Sequence, residues 1–210
     1  MNKKERLLEF NRNNILDSAK QLFLEKGINQ TTMDEIAKKA DYSKSTIYVY
    51  FKSKDEIYNY ITLEYMELLR DGLSDALSNT AGFSEGFYAI CDTILDFYNT
   101  YPLYFESVLG EIKLSKDKSD VVLSQIYDVG EQINKVIETY MQAHIYQKQT
   151  KSDLPPILQT SFAIWASICG IISIASKKEV YINEAMNVTK EEFMKNGFDL
   201  LLRSLLSGKG

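Results

Sequence analysis

Between Thr32 and Lys54 the sequence gathers side chains that donate hydrogen bonds outward: Thr32, Ser43, Lys44, Ser45, Thr46, Tyr48, Tyr50 and Lys54. Small hydroxyls meet base edges without blocking entry to a groove, and tyrosines and lysines reach phosphate oxygens. The chemistry they suit is recognition of a polyanion, not bond-making. Bond-making would need other groups. The chain has one histidine, His144, no His-x-x-x-His pair, no glycine-rich phosphate loop and no nucleophile elbow. Cys91 and Cys169 stand far apart without metal-ligand spacing. An enzyme, a metal centre and a bound cofactor are therefore not expected. The cysteines are expected as core thiols in a reducing compartment, and His144 at or near the surface.

The donors need elements to hold them. Thr32-x-x-Glu35 is a capping-box pattern that opens a short helix with Ile36, Ala37 and Ala40 inward. The stretch "ADYS" interrupts that helix, and Ser43 is the natural N-cap of the next, "KSTIYVYF", whose Ile47 and Phe51 face the same interior. Ser53-x-x-Glu56 repeats the capping box and opens a long helix from Lys54 towards Leu77. At that N-terminus free backbone N–H groups also favour a phosphate. Upstream, Ile15, Ala19, Leu22 and Phe23 mark one face of a helix that stops at Gly27. Helix, tight turn and short helix make a helix-turn-helix, whose second helix enters the DNA major groove.

Charge follows the same division. Residues 1–54 hold eleven Lys and Arg against seven Asp and Glu, a surplus of four positive charges. Residues 55–210 hold thirteen against twenty-two, a surplus of nine negative charges, and the net charge is −5. A basic end on an acidic body is suited to meeting a polyanion at that end. Lys3, Lys4 and Arg6 form either an arm into the minor groove or a solvated end. The charged N-terminus does not resemble a signal peptide. The longest uncharged run, Leu154 to Ser176, contains Pro155, Pro156 and several hydroxyls, so a buried helix is expected there and no membrane partner.

The rest of the chain reads as helix. A glycine-containing break near Gly82 precedes "FSEGFYAICDTILDFYNTY", with Phe87, Ile90, Cys91, Ile94 and Tyr98 on one face. Pro102 ends that helix and starts a shorter one through Ile112. A long helix from about Ser119 to Gln147 carries Val122, Ile126, Val129, Ile133, Ile137 and Tyr140. Asp153 is a candidate cap for the helix from Pro155 to about Ser176, and Thr189-x-x-Glu192 opens the last helix. The fold class is all-α, with about nine helices. The expected division is a helix-turn-helix DNA-binding domain over residues 1–54 and a helical sensing and dimerisation domain over residues 55–210.

The residues Phe23, Gly27, Thr31-Thr32, Ile36-Ala37, Ala40, Ser43, Thr46, Tyr48, Phe51 and Lys54 follow the DNA-binding pattern of the TetR family. Over roughly the first 57 residues the chain resembles a TetR-family transcriptional regulator. It departs from the pattern at Asp41, where the family often has glycine, and Tyr42 takes the following apolar place. Aspartate tolerates a positive φ better than most residues. The resemblance implies a cytoplasmic homodimer on a palindromic double-stranded DNA operator. It also implies a repressor whose C-terminal body binds a small-molecule effector and whose last two helices form the dimer interface. The alternative is a helix-turn-helix regulator without small-molecule input, controlled by a protein partner or by abundance.

Two further sets of candidates lie in the body. Tyr104, Tyr127, Tyr140 and Trp165 combine apolar surface with a polar atom, as ligand pockets do, so they are expected to line one. Ser167, Gly170, Ile171 and Ile174, with Phe198, Leu201 and Leu205 of the last helix, are expected on the dimer interface. The small residues among them would permit close helix approach.

Overall fold

The computed structural model describes residues 2–109, 121–146 and 155–206, and among these it holds ten α-helices, one π-helical turn and no strand. The chain runs α1 (Lys3–Lys26), α2 (Met33–Lys39), α3 (Lys44–Tyr50), α4 (Lys54–Ser78), α5 (Phe83–Thr100), α6 (Pro102–Leu109) and α7 (Val121–Met141). The π-helical turn Gln142–Tyr146 extends α7, and α8 (Ile157–Lys177), α9 (Glu179–Met186) and α10 (Lys190–Leu206) follow. The expected helix ends at Ile112, Ser119 and Gln147 and the cap at Asp153 lie outside the described residues.

The expected helix starts are set by side chains. Thr32 Oγ1 accepts from Glu35 N–H while the Glu35 carboxylate accepts from Thr32 N–H, a full capping box. Thr189 and Glu192 repeat it at α10. At α4, Ser53 Oγ accepts from Glu56 N–H, but the Glu56 carboxylate takes the N–H of Lys52 instead of that of Ser53. Helix α1 begins at Lys3 because Asn2 and Glu5 form a capping box of their own, so Lys3, Lys4 and Arg6 stand on a helix and not on an extended arm. Helix α9 has no expected counterpart; it is a short helix without a side-chain cap.

The chain divides into two compact units. The first holds the residues up to Tyr65 and the start of α7 as far as Tyr127. Its centre is Ile15, Ala19, Phe23, Ile36, Ile47, Phe51, Ile57 and Ile61, all buried. The second holds the residues from Met66 on α4 and from Asp128 on α7. Its interior includes Leu73, Phe87, Ile90, Ile94, Tyr104, Phe105, Ile168 and Ile172.

In the second unit α8 packs against α10, and their close approach is at Gly197, where a β-carbon would stand 3.0 Å from Cδ1 of Ile171. Gly170, expected to permit close helix approach at the dimer interface, is exposed and faces open space. Phe198 and Leu205, expected on the dimer interface, are buried within the protomer, because the inward stripe of α10 runs Met194, Phe198, Leu202, Leu205. Ile174 is exposed, and Ser167, Ile171 and Leu201 are half-buried. By length and composition α8 is apolar enough to cross a membrane, contrary to the expectation from its prolines and hydroxyls, and only a third of its apolar window is buried. Cys91 and Cys169 are free and buried. Burial pushes both thiols up, Cys169 to about 12, so they stay protonated at neutral pH.

The π-helical turn Gln142–Tyr146 carries His144. Near it the Tyr140 ring stacks on Phe83 and its hydroxyl donates to the Phe83 carbonyl. A β-carbon at Gly86 would lie 2.5 Å from Cε2 of Tyr140, so only glycine leaves room for this ring. His144 rests against Tyr140, with ring centroids 4.6 Å apart and Nδ1 2.9 Å from the Tyr140 carbonyl.

Candidate nucleic-acid interface

The turn between α2 and α3 fixes the reading helix. Tyr42 N–H reaches back to the Ala37 carbonyl (2.9 Å) and Asp41 N–H to the Lys38 carbonyl (3.3 Å). This is the Schellman pattern, which requires a left-handed residue at the position of Asp41. Asp41 has φ +61°, as its place in the motif demands. A left-handed conformation costs an L-residue roughly 1–2 kcal/mol, less for aspartate than for most. Asp41→Gly is therefore expected to stabilise the domain by about 0.5–1 kcal/mol, read as a higher melting temperature. It also removes a negative charge from the turn, so DNA affinity should stay equal or tighten. A clear loss of affinity would mean that the carboxylate itself is needed.

Ser43 caps α3 through its Oγ, which accepts from Thr46 N–H and bonds the hydroxyls of Ser45 (2.8 Å) and Thr46 (2.7 Å). With Ile47 and Phe51 buried, the opposite side of the helix is exposed: Lys44, Ser45, Tyr48 and Val49, with Thr46 and Tyr50 half-buried at its margins. Lys44, Ser45, Thr46, Tyr48 and Tyr50 therefore share this helix. Thr32, Ser43 and Lys54 are occupied differently. Thr32 and Ser43 spend their side-chain oxygens on caps. The Lys54 ammonium donates to the carbonyls of Ile28 (2.6 Å) and Thr31 (2.9 Å), closing the loop after α1.

Electrostatics around the head are local. Lys44 pairs with Asp34 at 2.7 Å, which raises its pKa through the hydrogen bond first and the charge second. Both partners are exposed, so the pair is weakly held and the ammonium can turn to a phosphate. The Lys26 ammonium, followed by the Thr32 hydroxyl and N–H, holds the Glu35 carboxyl down to about 2. Lys39 pairs with Glu25 at 2.8 Å.

Some residues that matter here carried little signal in the sequence. Asn11 of α1 accepts from the Tyr42 hydroxyl (2.8 Å) and donates to the Tyr50 hydroxyl (2.9 Å), clamping both phenols. Asn14 donates to the Ala40 carbonyl (3.1 Å). The Arg12 guanidinium lies 3.8 Å from the Tyr60 ring centroid. Asparagine is a poor residue for a helix interior. Three such residues in α1, Asn11, Asn13 and Asn14, are the one local hint that side chains of this helix are engaged elsewhere.

In the second unit an open groove of about 500 Å³ runs along α4 and α7, bounded by Leu77, Gln132, Lys135, Val136, Tyr140 and His144 among others. Of the four aromatic residues expected in a pocket, Tyr140 lines this groove. Tyr104, which is buried, Tyr127, which is exposed, and Trp165, which is half-buried, do not. Among the described residues no group of three or more His, Cys, Asp or Glu could hold a metal ion.

Known proteins place this arrangement. Residues 15–61 match the family model of bacterial regulatory proteins, tetR family. The HTH-type transcriptional regulator YhgD of Bacillus subtilis is 27% identical over 131 residues, covering 62% of this chain and 65% of that relative. The matched stretch thus spans slightly less than two thirds of YhgD. The negative regulator of the biofilm operon icaADBC, IcaR of Staphylococcus aureus, is 26% identical over 156 residues, 72% of this chain and 80% of IcaR. The solved structure of the transcriptional regulator FadR from Bacillus subtilis in complex with stearoyl-CoA shares the fold, with a TM-score of 0.65, 17% identity and coverage of 94% and 98% of the two chains.

Proposed function

Because this chain belongs to the TetR family of DNA-binding transcriptional regulators, we propose that it acts as a homodimeric repressor released from a palindromic operator by a small-molecule effector. The observation that carries the reading is the outward face of α3, where Lys44, Ser45 and Tyr48 stand exposed over a buried Ile47 and Phe51. That face enters the major groove, with Thr46 and Tyr50 at its margins and Thr32, Ser43 and Lys54 towards the backbone on either side. Residues 1–54 serve as the reading head and residues 55–210 as the sensing body.

Dimerisation uses the outward faces of α8 and α10. Leu158, Phe162, Ala166, Gly170 and Ile174 recur at four-residue spacing on α8 and are all exposed, as is Leu200 on α10. An exposed apolar stripe of this regularity suits a partner helix pair. The effector site is the groove beside Tyr140, whose apolar wall and Lys135 suit a molecule with an acyl chain and an anionic end. The stearoyl-CoA bound by the FadR neighbour is of that class. Helix α4 contributes to both compact units, and effector binding shifts the population of the DNA-binding state through it.

The test is selection of bound duplexes from a random-site pool, followed by addition of a long-chain acyl-CoA. A palindromic consensus, binding that falls steeply with salt and release by the acyl-CoA are expected. No preferred duplex, with or without cell extract, would overturn the DNA reading. A preferred duplex untouched by acyl-CoA would overturn only the choice of effector.

A further inference from the structure

Val49 is 77% exposed, more than any other large apolar side chain among the described residues. An exposed valine on an ordinary surface needs no explanation. This one stands on α3, on the face shared by Lys44, Ser45 and Tyr48, one helical turn beyond Ser45. The rotation of that helix is fixed by three residues: Ile47 and Phe51 are buried on one side, and the Tyr50 hydroxyl is held by Asn11. Val49 is therefore kept outward. Valine is also stiff about χ1 and loses little rotamer freedom on docking.

The major groove offers such a side chain one favourable partner. Base edges there present acceptors, amino donors and, only on thymine, a methyl group. Against an amino or carbonyl edge, valine would displace water and return no hydrogen bond, which is unfavourable. Against the methyl, both surfaces leave water. Resting on the reading that α3 lies in the major groove, we infer that Val49 is a specificity-determining residue that reads the 5-methyl group of a thymine in each half-site. The Ser45 hydroxyl can exchange hydrogen bonds with several different base edges, so the valine narrows a choice that it leaves wide.

Replacing thymine by deoxyuridine removes only that methyl, which makes the inference testable atom by atom. The preferred duplex is resynthesised with each thymine in turn replaced by deoxyuridine. Wild-type protein is expected to lose about fourfold in affinity per half-site at one position, the scale of a single methyl group kept from water. Substitution at both symmetric positions should cost about fifteenfold. Val49→Ala should bind the thymine duplex more weakly by a similar factor and be indifferent to deoxyuridine at that position alone. Its melting temperature should match wild type, because the lost atoms face solvent. Equal sensitivity of wild type and Val49→Ala, or indifference of the wild type at every thymine, would overturn the inference while leaving the operator reading intact. Absence of any preferred duplex would overturn both.

Discussion

Phe51→Ala should unfold the reading head in part and abolish duplex binding. Phe51 is 1% exposed and closes α3, with the Tyr60 ring packed edge-on at 5.8 Å and the Arg12 guanidinium 5.6 Å above its own ring. Removing a buried phenyl ring costs about 3–5 kcal/mol through lost transfer energy and the cavity left behind. Whole domains are stable by only about 5–15 kcal/mol. The loss should appear as a lower and broader melting transition, with duplex affinity falling in parallel. Phe51→Leu keeps most of the volume and should cost under about 1.5 kcal/mol, with binding retained. If Phe51→Ala melted and bound like wild type, α3 would not owe its orientation to this contact.

Lys54→Met carries the second large effect, and it separates two roles for one ammonium. The side chain already closes the loop after α1 by donating to the carbonyls of Ile28 and Thr31. Methionine keeps the length and removes the donors, leaving both carbonyls to water, at about 2 kcal/mol. If Lys54 also meets a phosphate, the salt dependence of binding should weaken by close to one counterion per half-site. The two losses are measured separately, one by melting and one by the slope of log affinity against log salt. Lys54→Arg keeps the charge and should keep the slope even if the loop is loosened. A lowered melting temperature with an unchanged slope would confine Lys54 to loop closure.

The reading head was legible because its signals are local. Thr32 with Glu35, Ser43, and Gly27 with φ +80° each declare a helix end through chemistry within four residues. The departure at Asp41 was legible for the same reason: the left-handed site lies one residue past the cap. What escaped depends on partners distant in sequence. Asn11 meets Tyr50 across 39 positions, and the asparagines of α1 do not say which partner they meet. Val49 lies beside Tyr48 in a run of alternating aliphatic and aromatic residues, and only the burial of Ile47 decides which side faces out. In the body, Ser167 and Gly170 on α8 signalled a close approach, but the glycine that α8 meets is Gly197 on α10. The stripe expected for the interface, Phe198, Leu201 and Leu205, largely coincides with the inward stripe of α10, because an apolar stripe on a helix reads the same in sequence whether it faces its own core or a partner.

The ring of Tyr140 over Gly86 bears on how such a groove can change. The volume that a β-carbon at position 86 would fill is already taken by the phenol, so the two positions behave as one unit of space shared between two helices. A side chain can appear at 86 only if the one at 140 shrinks, and a smaller residue at 140 strips the groove of its aromatic wall. Exchanging bulk between these positions would reshape the cavity without altering the backbone. The shape of the groove could therefore drift through paired substitutions at 86 and 140 while the packing of α5 against α7 stayed whole.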